Sequence, residues 1–212
     1  MKNRRHILSA GFFHFVIFEK ITVMNIGVFC SANKDISPSY FSATQELGMW
    51  IGKEGHSLVW GGCSLGLMET VGRSFLKARD EAASEGKATG ILTGVVPQII
   101  EERGKTFSPM DDIVYCSSLS ERKDIIIAKS DVLVALPGGI GTLDEIFSVV
   151  SSATIGYHSK KMVLMDTDGF WDPLVCLLDH LEKEGMIRGD YRRRISVCKD
   201  VEAFASLLEA RG

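Results

Sequence analysis

The sequence predicts an α/β fold built on a doubly wound parallel sheet, and three observations carry that prediction. From Met24 onward, short apolar runs alternate with amphipathic stretches about six times, the pattern of repeated βαβ units. The run Asp131-Val-Leu-Val-Ala-Leu136 is apolar at every position after its first, as expected of a strand covered on both faces. The glycines, 21 in all, cluster in loops between an apolar run and a helical pattern instead of recurring at a fixed period.

Taken in order, the expected strands are 25–29, 57–60, 88–95, 112–116, 131–136, 161–166 and 195–198. The expected helices lie near 38–54, 66–85, 120–129, 142–156, 172–185 and 200–210. The fourth strand leads to Ser118-Leu-Ser-Glu-Arg-Lys-Asp124, a helix-start signal. The helix over 142–156 places Leu143, Ile146, Phe147, Val150 and Ala153 on one side at helical spacing. The result is a single-domain, Rossmann-like sheet of about seven strands with helices on both faces. Right-handed crossovers then put the functional loops at the carboxyl ends of the strands.

Residues 1–23 stand apart. They read basic (Lys2, Arg4, Arg5), then apolar from Ala10 to Phe18, then charged at Glu19 and Lys20. A secretory signal has that order, but His14 interrupts the apolar run and no small-residue cleavage site follows. The run is also too short to span a bilayer. The expectation is a dispensable N-terminal extension, with the folded domain over 24–212.

Composition excludes several function classes. Lys and Arg number 24 against 27 Asp and Glu, a formal net charge of −3, without the basic excess of a general nucleic-acid binder. The five cysteines are Cys30, Cys63, Cys116, Cys176 and Cys198. They are odd in number, lie far apart and form no CxxC, which fits a reducing, cytoplasmic setting and no structural zinc. The five histidines include no HExxH pair, so a metal hydrolase is not expected and no metal is assigned.

Two glycine-rich loops carry the candidate chemistry. Trp60-Gly-Gly-Cys-Ser-Leu-Gly-Leu-Met68 and Pro137-Gly-Gly-Ile-Gly-Thr-Leu-Asp-Glu145 each run from strand to helix. Glycines let backbone amides approach a ligand, and a helix N-terminus adds partial positive charge, so both loops suit an anion. Neither ends in Gly-Lys-[Ser/Thr], and neither is GxGxxG. Turn geometry alone explains the first loop as well as a ligand does; Gly138, Gly139, Gly141 and Thr142 together favour the ligand in the second. For Glu145 two readings stand side by side: a capping box with Thr142, or a carboxylate facing the ligand cleft. Arg122 and Lys123 fall in the first turn of their helix, where cations oppose the macrodipole. They either serve an anionic ligand or are solvated surface charges.

The combination of Glu121-Arg-Lys123 with Pro137-Gly-Gly-Ile-Gly-Thr-Leu-Asp-Glu145 resembles the signature of the Lonely Guy (LOG) family. The resemblance extends from Met24 to about residue 200 and includes Gly27-Val-Phe-Cys-Ser31, Gly61-Gly62, Gly66-Leu-Met68 and Asp168-Gly169. It implies an enzyme that hydrolyses the N-glycosidic bond of a nucleoside 5'-monophosphate, AMP or its N6-modified (cytokinin) form, to free base and ribose 5-phosphate. By the match, Arg122 and Glu145 take the catalytic positions. Lys123, Gly138, Gly139, Ile140, Gly141, Thr142, Leu143 and Asp144 take substrate-binding positions, joined by Ser31, Gly61, Gly62 and Met68. The resemblance also implies a homodimer and no cofactor. Where the family pattern has Glu-Glu, this chain has Asp144-Glu145, and Cys63 and Glu69 stand where glycines are usual, which leaves base preference open. A pyridoxal-phosphate decarboxylase would need a Schiff-base lysine, and no lysine motif marks one. A non-catalytic carrier of a nucleotide or of molybdenum cofactor is the other alternative.

Overall fold

The computed structural model describes residues 23–210. Nearly all of the expected extension (1–22) therefore lies outside the described residues; Val23 is exposed. The strands are β1 (Asn25–Phe29), β2 (Ser57–Trp60), β3 (Leu92–Pro97), β4 (Asp112–Cys116), β5 (Val132–Ala135), β6 (Met162–Met165) and β7 (Ile195–Cys198). The helices are α1 (Pro38–Lys53), α2 (Gly66–Ser84), α3 (Gln98–Glu102), α4 (Leu119–Lys129), α5 (Ile140–Thr154), α6 (Asp172–Lys183) and α7 (Val201–Glu209).

All six strand pairings are parallel, in the order β4-β3-β2-β1-β5-β6-β7. The winding direction reverses between β1 and β5, and the crevice beyond the carboxyl ends of those strands is where open α/β sheets bind ligands. Alternation along β5 shows how one short strand serves two layers. Val132 and Val134 join α1, α2 and α7 in one core, while Leu133 and Ala135 join α4, α5 and α6 in the other. Every residue of β5 is fully buried, so no polar position was available to make the run alternate.

Four expectations need correction. The third strand begins at Leu92, not residue 88, because its pairing starts at Leu58↔Leu92 and Ala88 to Ile91 only lead into it. The short helix α3 had no sequence signal, since five residues cannot display a helical period. The helix expected over 142–156 begins at Ile140. Its buried face is Thr142, Glu145, Ile146, Val149 and Ala153. Leu143 and Val150 are only half-buried, and Phe147 is exposed. The apolar stripe and the buried stripe share only Ile146 and Ala153, because Thr142 and Glu145 are turned into the molecule beside Ile146, Val149 and Ala153. Among the described residues, no helix is long and apolar enough to cross a membrane.

Candidate functional site

The site is assembled at the switch point. The Ser31 amide, just past β1, donates to the Pro137 carbonyl at 3.2 Å, and the Ser31 carbonyl accepts from the Leu67 amide at 2.9 Å. One residue thus ties together the loops after β1 and β5 and the first turn of α2. The Asn33 amide donates to the Ser31 hydroxyl at 3.0 Å. Ser31, Asn33, Tyr40, Gly138, Gly139 and Phe170 are among the residues lining a cavity of about 240 Å³ beside the start of α5.

That helix starts without a side-chain cap. Gly139 is the N-cap residue, and no side chain bonds the first-turn amides, which are among the four a helix cannot satisfy internally. The capping box between Thr142 and Glu145 is therefore not formed. Thr142 lies inside the first turn and is buried against Gly138, where any Cβ would strike its side chain. Gly139 and Gly141 face open space, with nothing within 4 Å of where a Cβ would sit. Ile140 is 83% exposed.

The capping pair instead occurs at α4. The Ser118 hydroxyl accepts from the Glu121 amide at 3.1 Å, and the Glu121 carboxylate accepts from the Ser117 amide at 2.7 Å. With the helix starting at Leu119, Arg122 and Lys123 are its fourth and fifth residues, just beyond the first turn in which their conflict with the dipole was expected. Neither is a solvated surface cation. Lys123 Nζ lies 2.6 Å from Asp144 Oδ2, joining α4 to α5. The Arg122 side chain, 12% exposed, donates from Nε to the Val95 carbonyl at 3.2 Å and packs Nη2 against Met68 Sδ at 3.9 Å.

Arg122 and Glu145 meet, with Nη1 3.8 Å from Oε1. Burial pushes the Glu145 carboxyl up to about 7, against the downward pull of the Arg122 charge and with a smaller upward push from Asp144. The upward shift shows that lost hydration outweighs ion pairing, the usual balance for a carboxylate held away from water. Its partner at 3.8 Å is too distant for a close ion pair, leaving both groups with bonding capacity toward a third. Behind them, burial and the Glu145 charge push the Cys30 thiol far up, so that thiol stays protonated.

The residues of the first glycine loop are brought to the site, but as its back wall. A Cβ at Gly61 would land on the Arg122 guanidinium, and Gly62 adopts φ +62° against Val96. The Met68 carbonyl accepts from Trp60 Nε1 at 3.1 Å. Glu69 is turned away into an ion pair with Arg73 at 2.6 Å. Sequence reasoning missed the Val95 carbonyl, Asn33, Tyr40 and Phe170. The first is a backbone atom with no sequence signature, and the others come from loops and helices that only the fold brings together. Among the described residues, no three His, Cys, Asp or Glu side chains are grouped to hold a metal ion.

The family model described as "Possible lysine decarboxylase" matches residues 68–208. The rice cytokinin riboside 5'-monophosphate phosphoribohydrolase LOG (Oryza sativa subsp. japonica) is 36% identical over 170 residues, covering 80% of this chain and 66% of the rice protein. The chain thus spans about two thirds of that relative's length. The cytokinin riboside 5'-monophosphate phosphoribohydrolase of Rhodococcoides fascians is 29% identical over 190 residues, 89% of this chain and 91% of that one. Among solved structures, the molybdenum cofactor binding protein of Rippkaea orientalis superposes with a TM-score of 0.65 at 19% identity, covering 90% of this chain and 98% of that one. The Moco carrier protein of Chlamydomonas reinhardtii superposes with a TM-score of 0.62 at 25% identity, covering 90% and 100%.

Proposed function

We infer, since the chain belongs to the possible-lysine-decarboxylase (LOG) family, that it is a phosphoribohydrolase acting on nucleoside 5'-monophosphates such as AMP or N6-substituted AMP. The observation that carries this reading is the buried Glu145 carboxylate beside Arg122, in the second turn of the helix α5, whose start is uncapped. In the proposed reaction the C1'–N bond breaks with its electron pair leaving on the base, and water supplies hydroxyl to C1' and a proton to the base. The sugar passes through an oxocarbenium-like state. Glu145, poised near neutrality, takes a proton from water or a ribose hydroxyl and faces the developing positive charge. Arg122 holds phosphate or departing base.

The amides of Gly139, Ile140, Gly141 and Thr142 anchor the 5'-phosphate, with Gly138 giving Thr142 its place. Binding energy gained at the phosphate is thereby used to orient C1'. Lys123 exchanges Asp144 for the ligand, and the half-buried Leu143 fixes the helix that presents these groups. Ser31 holds the two loops in register; Gly61, Gly62 and Met68 seat Arg122. The reading includes a cytoplasmic homodimer, no cofactor, and no nucleic-acid or membrane partner.

The test is incubation with AMP, N6-substituted AMP and adenosine, scored for free base and ribose 5-phosphate. The expected outcome is release from the monophosphates with kcat/KM far above that for adenosine. Equal rates on AMP and adenosine sink the phosphate anchor. Tight binding without release would make the protein a carrier. Light scattering checks the dimer.

A further inference from the structure

The side of the sheet facing away from α4 and α5 carries a groove of about 570 Å³ between α1, α2 and the start of α7. Its floor is apolar, made by Met49, Trp50, Ala78, Ala82 and Val201, and its rim is acidic. Glu46, Glu54, Glu81 and Glu202 line it and, among the described residues, take part in no ion pair. Two further carboxylates are engaged: Glu85 pairs with Lys87 at 2.7 Å, and Asp200 caps α7 by accepting from the Ala203 amide at 2.8 Å. Lys53 and Lys87 leave the lining with six acidic groups against two basic ones.

The chain enters the fold beside this groove. The Met24 amide donates to His56 Nδ1 at 3.3 Å, the His56 ring stacks 5.0 Å from Trp50, and Trp50 lines the floor. Upstream lie Lys2, Arg4, Arg5 and Lys20 against the single acid Glu19, and between them the apolar run Ala10–Phe18 with its four phenylalanines Phe12, Phe13, Phe15 and Phe18. That run ends six residues before Met24, which extended chain at about 3.3 Å per residue spans as about 20 Å, so the Trp50 end of the groove is within reach. Tethering places the segment at an effective concentration near the millimolar range, so modest contacts suffice to hold it.

We propose that residues 1–22 dock in this groove, with the phenylalanine run on the Trp50 floor and Lys2, Arg4 and Arg5 against the glutamate rim. The occupant is the protein's own N-terminal segment, and the claim is independent of the proposed chemistry, none of whose residues lines this groove. Apolar area, charge sign and point of chain entry agree on this occupant.

Carbodiimide cross-linking of the full chain, read by peptide mass spectrometry on the monomer-sized fraction, tests it. The expected products join Lys2 or Lys20 to Glu46, Glu81 or Glu202. Products joining them only to carboxylates elsewhere, or found only in a cross-linked dimer, overturn it. A second measurement is tryptic cleavage after Lys20. In the full-length Glu81→Lys, Glu202→Lys double variant, which alters exposed side chains only, cleavage should speed up about tenfold. Nucleotide hydrolysis, if present, should be unchanged. Equal cleavage rates in variant and wild type overturn the docking.

Discussion

The two glycine-rich loops look alike in sequence and do opposite things in the fold. In the loop after β2, glycines are required by the protein itself: a side chain at Gly61 would collide with Arg122, and Gly62 and Gly66 adopt φ +62° and +55° against neighbouring backbone and side chains. In the loop after β5, Gly139 and Gly141 have empty space where a Cβ would be, and that space opens onto an uncapped helix start. In one loop an arginine fills the space a side chain would take; in the other that space is open. Glycine spacing alone does not separate the two cases, because both need a missing Cβ and only the neighbours differ.

The sharpest break is at the group both loops serve. Glu145→Gln should lower kcat by about 10²-fold or more, the scale of losing a positioned acid–base group. In the wild type kcat/KM should climb with pH and level off above about 7, as Glu145 loses its proton. The Gln variant should lose that limb. Stability moves the other way. Because the folded carboxyl is raised from 4.5 to about 7, its contribution is fully present below pH 4.5 and lost as pH rises through 7. The neutral amide should therefore melt at or above the wild-type temperature at pH 8. A marked loss of stability there would mean that Arg122 depends on the charge more than burial penalises it.

Gly61→Ala comes next. The added methyl displaces the guanidinium, so kcat/KM should drop about 10- to 100-fold, with about 1–3 kcal/mol of stability lost to overpacking. Gly139→Ala is the matched control in the other loop. Its φ of −92° suits alanine, so denaturant unfolding should change by less than about 0.5 kcal/mol. AMP affinity, by titration calorimetry, should fall about tenfold as the methyl enters the phosphate's place. If both alanines act through stability alone, the contrast between the loops fails. The smallest effect should be Asp144→Asn, which breaks an ion pair whose acid is more than half exposed; less than about 1 kcal/mol is expected, with a modest change in KM as Lys123 is released.

Much of this was legible in the residues. Strand and helix order followed from the alternation of apolar runs with helical patterns, and the all-apolar run at β5 marked a strand covered on both faces. Where the reading slipped, local and tertiary signals conflicted. Gly141 is a poor helix former, so Ile140-Gly141 read as loop and the helix seemed to start at Thr142. That error created the apparent capping box with Glu145. Likewise, Leu143, Phe147 and Val150 formed the more apolar stripe, yet α5 turns Thr142 and Glu145 inward.

The fold class and the two loops could be read from the sequence alone, and Arg122 and Glu145 could be put forward as candidates, because patterning and short motifs are local properties of a chain. That these two side chains lie 3.8 Å apart, both largely buried, and that the carboxyl is shifted toward neutrality came only from the tertiary structure. So did the difference between the loops: the protein's own atoms crowd Gly61, Gly62 and Gly66, whereas Gly139 and Gly141 face open space. Those properties depend on what stands opposite each residue across the β1–β5 switch point. Proximity, burial and lost hydration arise from contacts between segments far apart in sequence, and no local pattern encodes them.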